Sequence, residues 1–160
     1  MKKFELTSET KINVFGKKLF RIKALISFGD VKAGETGGWV EKEGNVNQSG
    51  NAWVSGNAMV YGNARVSGDA WVSGDAWVSG DAWVSGNADY TTIHGFGTQF
   101  RTTTFFRCKD KAVRVSCGCF LGTIPEFREQ VKKTRSGKIA EEYLMIADLM
   151  KKHFEVKSNE

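Results

Sequence analysis

Gly50-Asn51-Ala52-Trp53-Val54-Ser55-Gly56-Asn57-Ala58-Met59-Val60-Tyr61-Gly62-Asn63-Ala64-Arg65-Val66-Ser67-Gly68 decides the fold, because it repeats one six-residue phrase. The phrase, N/D-A-x-V-S-G, runs on through Gly74, Gly80 and Gly86. The glycine spacing also reaches back through Gly44 to Gly38, with Val40 and Val46 two residues after these glycines, in the alanine position. Ala and Val stand two apart, so on a strand they share one face and the residue between them takes the other. Ser-Gly-Asn/Asp supplies a corner, since Gly accepts positive φ and Asn or Asp bonds its own backbone. One unit cannot bury its Ala–Val pair; stacked units make a continuous core. Each buried valine there contributes roughly 1.5–3 kcal/mol.

The phrase A-x-V-S-G-D resembles the hexapeptide repeat of left-handed parallel β-helix proteins, whose three-sided coils hold three units each. The resemblance implies a mainly β protein with about three coils. Val31-Lys32-Ala33-Gly34-Glu35-Thr36-Gly37-Gly38-Trp39-Val40 resembles a lead-in to such coils in uncharacterised bacterial and phage or prophage proteins. The string Cys117-Gly118-Cys119-Phe120-Leu121-Gly122-Thr123, followed by helices, resembles the C-terminal part of phage-borne proteins. Many hexapeptide proteins are acyltransferases with a histidine base in a cleft between subunits, and hexapeptide relatives often form trimers.

Residues 1–37 read as an N-terminal β cap, 38–91 as the coil and 92–160 as a hairpin followed by two helices. In the cap, Lys3–Leu6 and Lys11–Phe15 look extended, with Ser8-Glu9-Thr10 as a turn between them. Phe15-Gly16-Lys17-Lys18 reads as a hairpin turn, and Phe20, Ile22 and Ala24 alternate with Arg21 and Lys23 on the return strand. Past the coil, Thr91–Phe100 reads as a glycine-containing loop. Arg101–Arg107 and Ala112–Cys117 read as paired strands. Thr123-Ile124-Pro125-Glu126 is a capping-box start for a helix to about Lys133. A second helix spans roughly Lys138 to Phe154 on its apolar period.

The outward coil positions carry Trp53, Met59, Arg65, Trp71, Trp77 and Trp83. With three units per coil, Trp71 stacks under Trp53, Trp77 under Met59 and Trp83 under Arg65. Large apolar side chains in a patch point to a covered surface. The expectation is a homo-oligomer, a trimer, meeting through Trp53, Trp71, Trp77 and Trp83. Packing by the C-terminal module and base stacking on tryptophan are the alternatives.

Charge is uneven. Residues 1–44 carry nine basic and six acidic side chains, 45–100 carry one and four, and 101–160 carry thirteen and eight. Basic flanks attract phosphate-bearing partners. His94, Gly95, Gly97, Thr98, Gln99, Arg101, Thr103 and Arg107 form the candidate ligand site. Glycines let backbone N–H groups approach an anion, and arginine forks bind phosphate in pairs of hydrogen bonds. Arg101 and Arg107, six apart on a strand, share a face with Thr103 and Phe105.

The expected function is a non-catalytic oligomeric binding protein for a small anionic, nucleotide-like ligand. The phage resemblance implies an anti-defence use, the sequestering of a host immune signalling nucleotide. A hexapeptide-family acyltransferase using His94 stands second, and a structural or assembly module third. No catalytic residue, metal site or cofactor is expected. Cys108, Cys117 and Cys119 read as structural thiols, since paired C-x-x-C knuckles are absent. Neither a membrane nor a nucleic-acid polymer is an expected partner. An odd cysteine count, and Met1-Lys2-Lys3 followed by Phe4-Glu5-Leu6 instead of an apolar signal core, point to the cytoplasm, that of the host if phage-encoded.

Overall fold

The computed structural model describes residues 2–155. The chain is mainly β with two helices, and it divides into two compact units, Met1–Asn87 and Ala88–Glu160.

In the N-terminal unit three longer strands, β1 (Phe4–Ile12), β2 (Lys18–Ala24) and β3 (Thr36–Val40), precede six two-residue strands. These are β4 (Trp53–Val54), β5 (Met59–Val60), β6 (Arg65–Val66), β7 (Trp71–Val72), β8 (Trp77–Val78) and β9 (Trp83–Val84). Each of β4, β5 and β6 pairs in parallel with the strand three units later: Trp53 with Trp71, Met59 with Trp77, Arg65 with Trp83. That is the expected stacking of the outward positions. The alanines from Ala52 to Ala82 and the valines from Val54 to Val84 are all at most 1% exposed, so the repeated pair is a core. The corners from Gly50 to Gly80 hold φ between +61° and +73°, a conformation in which a Cβ is strained.

The phase of the first units differs from a simple count of glycines. Trp39 pairs with Met59 and Val46 with Val66, an interval of twenty residues where later rungs use eighteen. Val40 and Val46 therefore occupy valine slots, whereas the glycine count put them in alanine slots. Gly38 is no corner: it lies inside β3, where a Cβ would stand 2.7 Å from Val54 Cγ1 and 2.9 Å from the Ala58 carbonyl. The two additional residues fall between Val46 and Val54, and they allow Gln48 to reach β1. Its Oε1 accepts from the Lys3 and Phe4 amides at 2.7 and 3.1 Å, and its Nε2 donates to the Phe4 carbonyl at 3.0 Å.

The open edge of the first layer is closed by side chains. Along the repeat, alternate amides donate to carbonyls of the next layer, as Trp53 N does to Ala70 O. A carbonyl in the first rung of its row has no preceding strand to receive from. Lys3 Nζ donates to the carbonyls of Ala52 and Gly50 at 2.7 and 3.3 Å. Asn45 Nδ2 does the same for Ala64 and Gly62 at 2.9 and 3.2 Å. Both side chains are buried, and buried carbonyls left unpaired are costly.

The hairpin of β1 and β2 continues the sheet, in the order β1-β2-β3-β5-β8. The turn expected at Ser8-Glu9-Thr10 is absent: β1 is continuous, and its register shifts between Leu6 and Thr10. Within that irregularity the Thr7 hydroxyl donates to the Arg21 carbonyl, replacing a ladder bond.

The C-terminal unit is a four-stranded antiparallel meander carrying two helices. Its strands are β10 (Tyr90–Phe96), β11 (Arg101–Arg107), β12 (Val113–Cys117) and β13 (Phe120–Thr123), in that spatial order. Two strands are expected from the sequence and four are present. Thr91, Thr92 and Ile93, expected in a loop, pair with Phe105, Thr104 and Thr103; β-branched residues fit a ladder, and Gly95 (φ +98°) sits at a register shift. Thr123 caps α1 (Ile124–Thr134), accepting from Glu126 N while Glu126 Oε1 accepts from Thr123 N. Ile124, Phe127 and Val131 of α1, and Tyr143, Ile146, Ala147 and Met150 of α2 (Gly137–His153), face one core with Phe105, Val113 and Val115. Arg128 pairs with Asp148 between the two helices.

Candidate functional site

The tryptophans do not form one open patch. Trp53 is 0% exposed, edge-on to Phe4 and Phe28, so it has no surface left to meet a second subunit. Met59 is buried with Leu19, Trp39 and Tyr61, and Trp77 packs against that cluster beneath Phe15. The chain's own N-terminal hairpin, with Phe28 after it, does this covering. Trp71 is half-buried and donates its Nε1 proton to Ser55 Oγ at 2.7 Å. Trp83 is the most exposed of the four, at 46%.

The glycine–threonine–arginine constellation is divided. His94 pairs across the sheet with Thr102, and its Nδ1 lies 2.7 Å from Thr102 Oγ1. Thr102 alternates with Arg101 and Thr103, so His94 stands on the opposite sheet face from the arginines. Thr98 and Gln99 are exposed in the turn that joins β10 to β11. Gly97 (φ +80°) lies beneath Tyr143, whose hydroxyl a Cβ there would meet at 2.5 Å. Thr103 is buried and donates to Cys117 Sγ at 3.3 Å.

Arg101 and Arg107 share a face as expected, yet they do not converge. Six residues of strand separate them by roughly 20 Å, and the Phe105–Phe127 contact of the helix core lies between. Arg107 is engaged by structure: its Nε pairs with Asp89 at 3.4 Å, and its Nη atoms donate to the Lys111 and Phe154 carbonyls at 3.2 Å each. The guanidinium also lies over the Phe154 ring.

Arg101 instead lines a cleft of about 290 Å³ within the C-terminal unit. Cys117, Cys119 and Phe120 come from the β12–β13 hairpin, Phe127, Gln130, Thr134 and Arg135 from α1 and its end, and Tyr143 from α2. Arg135 is placed by the helix stop: its amide donates to the Val131 carbonyl while its backbone turns extended. Among the described residues neither Arg101 nor Arg135 is paired with a carboxylate. Burial holds the Tyr143 hydroxyl above its usual range, and the adjacent Cys117 thiol adds to the shift. Arg135 and Arg101 both pull it the other way. Tyr143 is therefore a neutral hydroxyl donor or acceptor near pH 7, in a cleft that both arginines line.

Arg135, Gln130, Thr134 and Tyr143 are invisible to a reading of the hairpin alone. Tyr143 sits in an apolar helical stripe and reads as core, and Arg135 follows the helix in a polar run. The three thiols do not gather: Cys108 is buried and Cys119 exposed, and among the described residues no cluster of three His, Cys, Asp or Glu side chains could hold a metal. No helix among the described residues is long and apolar enough to cross a membrane.

Residues 52–68 and 60–74 match the YdcK beta solenoid repeat family. The two overlapping segments are repeat units of the N-terminal unit, and they support a β-solenoid type of repeat. No curated protein matches the chain.

Proposed function

We propose that the protein binds a small anionic, nucleotide-like molecule without transforming it, in the Arg101–Arg135 cleft of the C-terminal unit. The observation that carries this reading is that two guanidinium groups, of Arg101 and Arg135, line one cleft with Tyr143 and have no carboxylate partner among the described residues. An arginine fork binds a phosphate with two parallel hydrogen bonds, and two forks suit a dianion. Phe120 and Phe127 offer apolar walls to a planar ring, while Gln130 and Thr134 offer polar contacts. The pair expected from sequence, Arg101 with Arg107, is replaced by Arg101 with Arg135. Holding a nucleotide without turning it over would lower its free concentration, which is the sequestering use that the phage resemblance implies.

Two further expectations belong to this proposal. The eighteen-residue parallel pairing supports a three-sided coil, the hexapeptide resemblance implies that it is left-handed, and assembly as a homotrimer has its support in Trp83 and the part-exposed edges of Trp71 and Trp77. Acyl transfer by His94 has less support, because the ring nitrogen that a carboxylate would orient faces a threonine hydroxyl. A thermal-shift screen with mono-, di- and cyclic nucleotides tests the binding. The expected result is a raised melting temperature that Arg101→Ala and Arg135→Ala each diminish, by about 1.5–3 kcal/mol of binding. No shift with any phosphate ligand, or an undiminished shift in the double variant, removes the site.

A further inference from the structure

We propose that Cys119 and Cys117 make this cleft a site of thiol–disulfide exchange with small anionic disulfides of the glutathione class, and that the exchange closes it to ligand. The proposal deepens the anion-binding reading of the same cleft and, for its effect on ligand, rests on it. Both thiols line the cleft, together with both arginines. Cys119 is exposed, and Cys117 lies deeper, with the Thr103 hydroxyl donating to its sulfur. Between them Gly118 takes φ +58°, and Arg101 is seated directly against it: a Cβ at Gly118 would collide with the guanidinium. Residues two apart across such a bend approach the roughly 4.4–6.8 Å Cα separation that a disulfide spans. An exposed thiol, a recessed second thiol and two cations in one cleft meet the needs of this exchange: an attacking sulfur, a resolving sulfur and anchors for the carboxylates of the incoming disulfide.

The chemistry proceeds in two steps. Cys119, as thiolate, attacks one sulfur of the small disulfide; that S–S bond breaks, a Cys119–sulfur bond forms, and the other sulfur leaves as a thiolate that takes up the proton released by Cys119. Cys117 then attacks the Cys119 sulfur, expelling the second small thiol, which takes up the proton from Cys117. Two protein thiols are oxidised to one disulfide, and one small disulfide is reduced to two thiols. The bridge draws the Cys117 sulfur away from Thr103 and tightens the turn on which Arg101 lies, so an anion loses part of its seat.

The test uses the full chain, reduced, and needs no ligand. Alkylation of Cys119 is compared between anionic iodoacetate and neutral iodoacetamide, and each site is located by peptide mass. The field of two arginines in a cleft favours the anionic reagent on the order of tenfold over its ratio at a free thiol, and Arg101→Ala with Arg135→Ala abolishes that preference. With glutathione disulfide the wild type gains an internal Cys117–Cys119 bond, and Cys117→Ser instead accumulates a glutathione adduct at Cys119. An unchanged reagent ratio in the arginine variants, or adducts that map to Cys108 or to neither cleft thiol, overturns the proposal. Nucleotide thermal shifts are measured separately, on the reduced and the oxidised wild type. Exchange without any shift in the reduced protein removes the anion-binding reading, and with it the effect on ligand, while the exchange itself stands. A shift of equal size before and after oxidation overturns the closing of the cleft.

Discussion

The two units of this chain use their side chains in opposite ways. In Met1–Asn87 the strongly patterned positions are occupied by the fold itself. Ala and Val fill the interior, the N-terminal hairpin covers Trp53 and Met59, and Lys3, Asn45 and Gln48 close the first layer's edge. In Ala88–Glu160 the pattern is weaker, yet charged groups remain over after folding: Arg107 is engaged with Asp89 and Phe154, whereas Arg101 and Arg135 face a cleft. The difference teaches that a conspicuous sequence feature is often conspicuous because packing needs it. The charged groups that face a cleft are those that packing left aside.

The largest expected effect breaks the comparison at its repeat side. Val60→Asp puts a carboxylate into an interior whose neighbours are Ala and Val, and the expected cost is about 4 kcal/mol or more. Loss of β signal in far-ultraviolet circular dichroism checks it. A variant as stable as wild type would mean that the repeat interior is not the core of its unit.

Lys3 sharpens the same side with a smaller effect. Burial lowers its pKa to about 8, from the ordinary 10.5. Between these values the unfolded chain holds the proton more tightly than the folded one, so this lysine makes stability rise with pH across that window. Below about 8 both states are protonated, and the cost of burying the charge is present in full. Lys3→Met removes that dependence. It also leaves the Ala52 carbonyl without its donor, at a cost of about 1–3 kcal/mol near neutral pH. Denaturant titrations of both proteins across the window measure the two effects together.

The smallest effect separates the two arginines. Arg107→Ala removes a half-exposed ion pair and hydrogen bonds to carbonyls, so stability falls by about 1 kcal/mol and any nucleotide shift persists. Arg101→Ala is the reverse: stability changes by less than about 0.5 kcal/mol, as for a surface residue, and the shift weakens. If Arg107→Ala alone abolished the shift, the site would lie at the other end of β11.

The sequence by itself determined the repeat, the inward Ala–Val face, the stacking of Trp71 on Trp53 and the capping box at Thr123, because each of these follows from local periodicity or from contacts within a few residues. It misplaced the phase of the first units, because a two-residue expansion between Val46 and Val54 looks like another turn of the same glycine count. It missed β10, because Gly95 and Gly97 outweighed Thr91, Thr92 and Ile93 when read without a partner strand. The candidate site was half legible: Arg101 stood out, and Arg135 across the cleft did not. Tertiary structure alone decided that Trp53 is covered by Phe4 and Phe28, that Arg107 is bound by Asp89 and the end of α2, and that Arg135 and Tyr143 line one cleft with Arg101. These pairs lie tens of residues apart in the chain. Their meeting depends on how whole elements pack, and a spacing rule within one strand or helix carries no information about that.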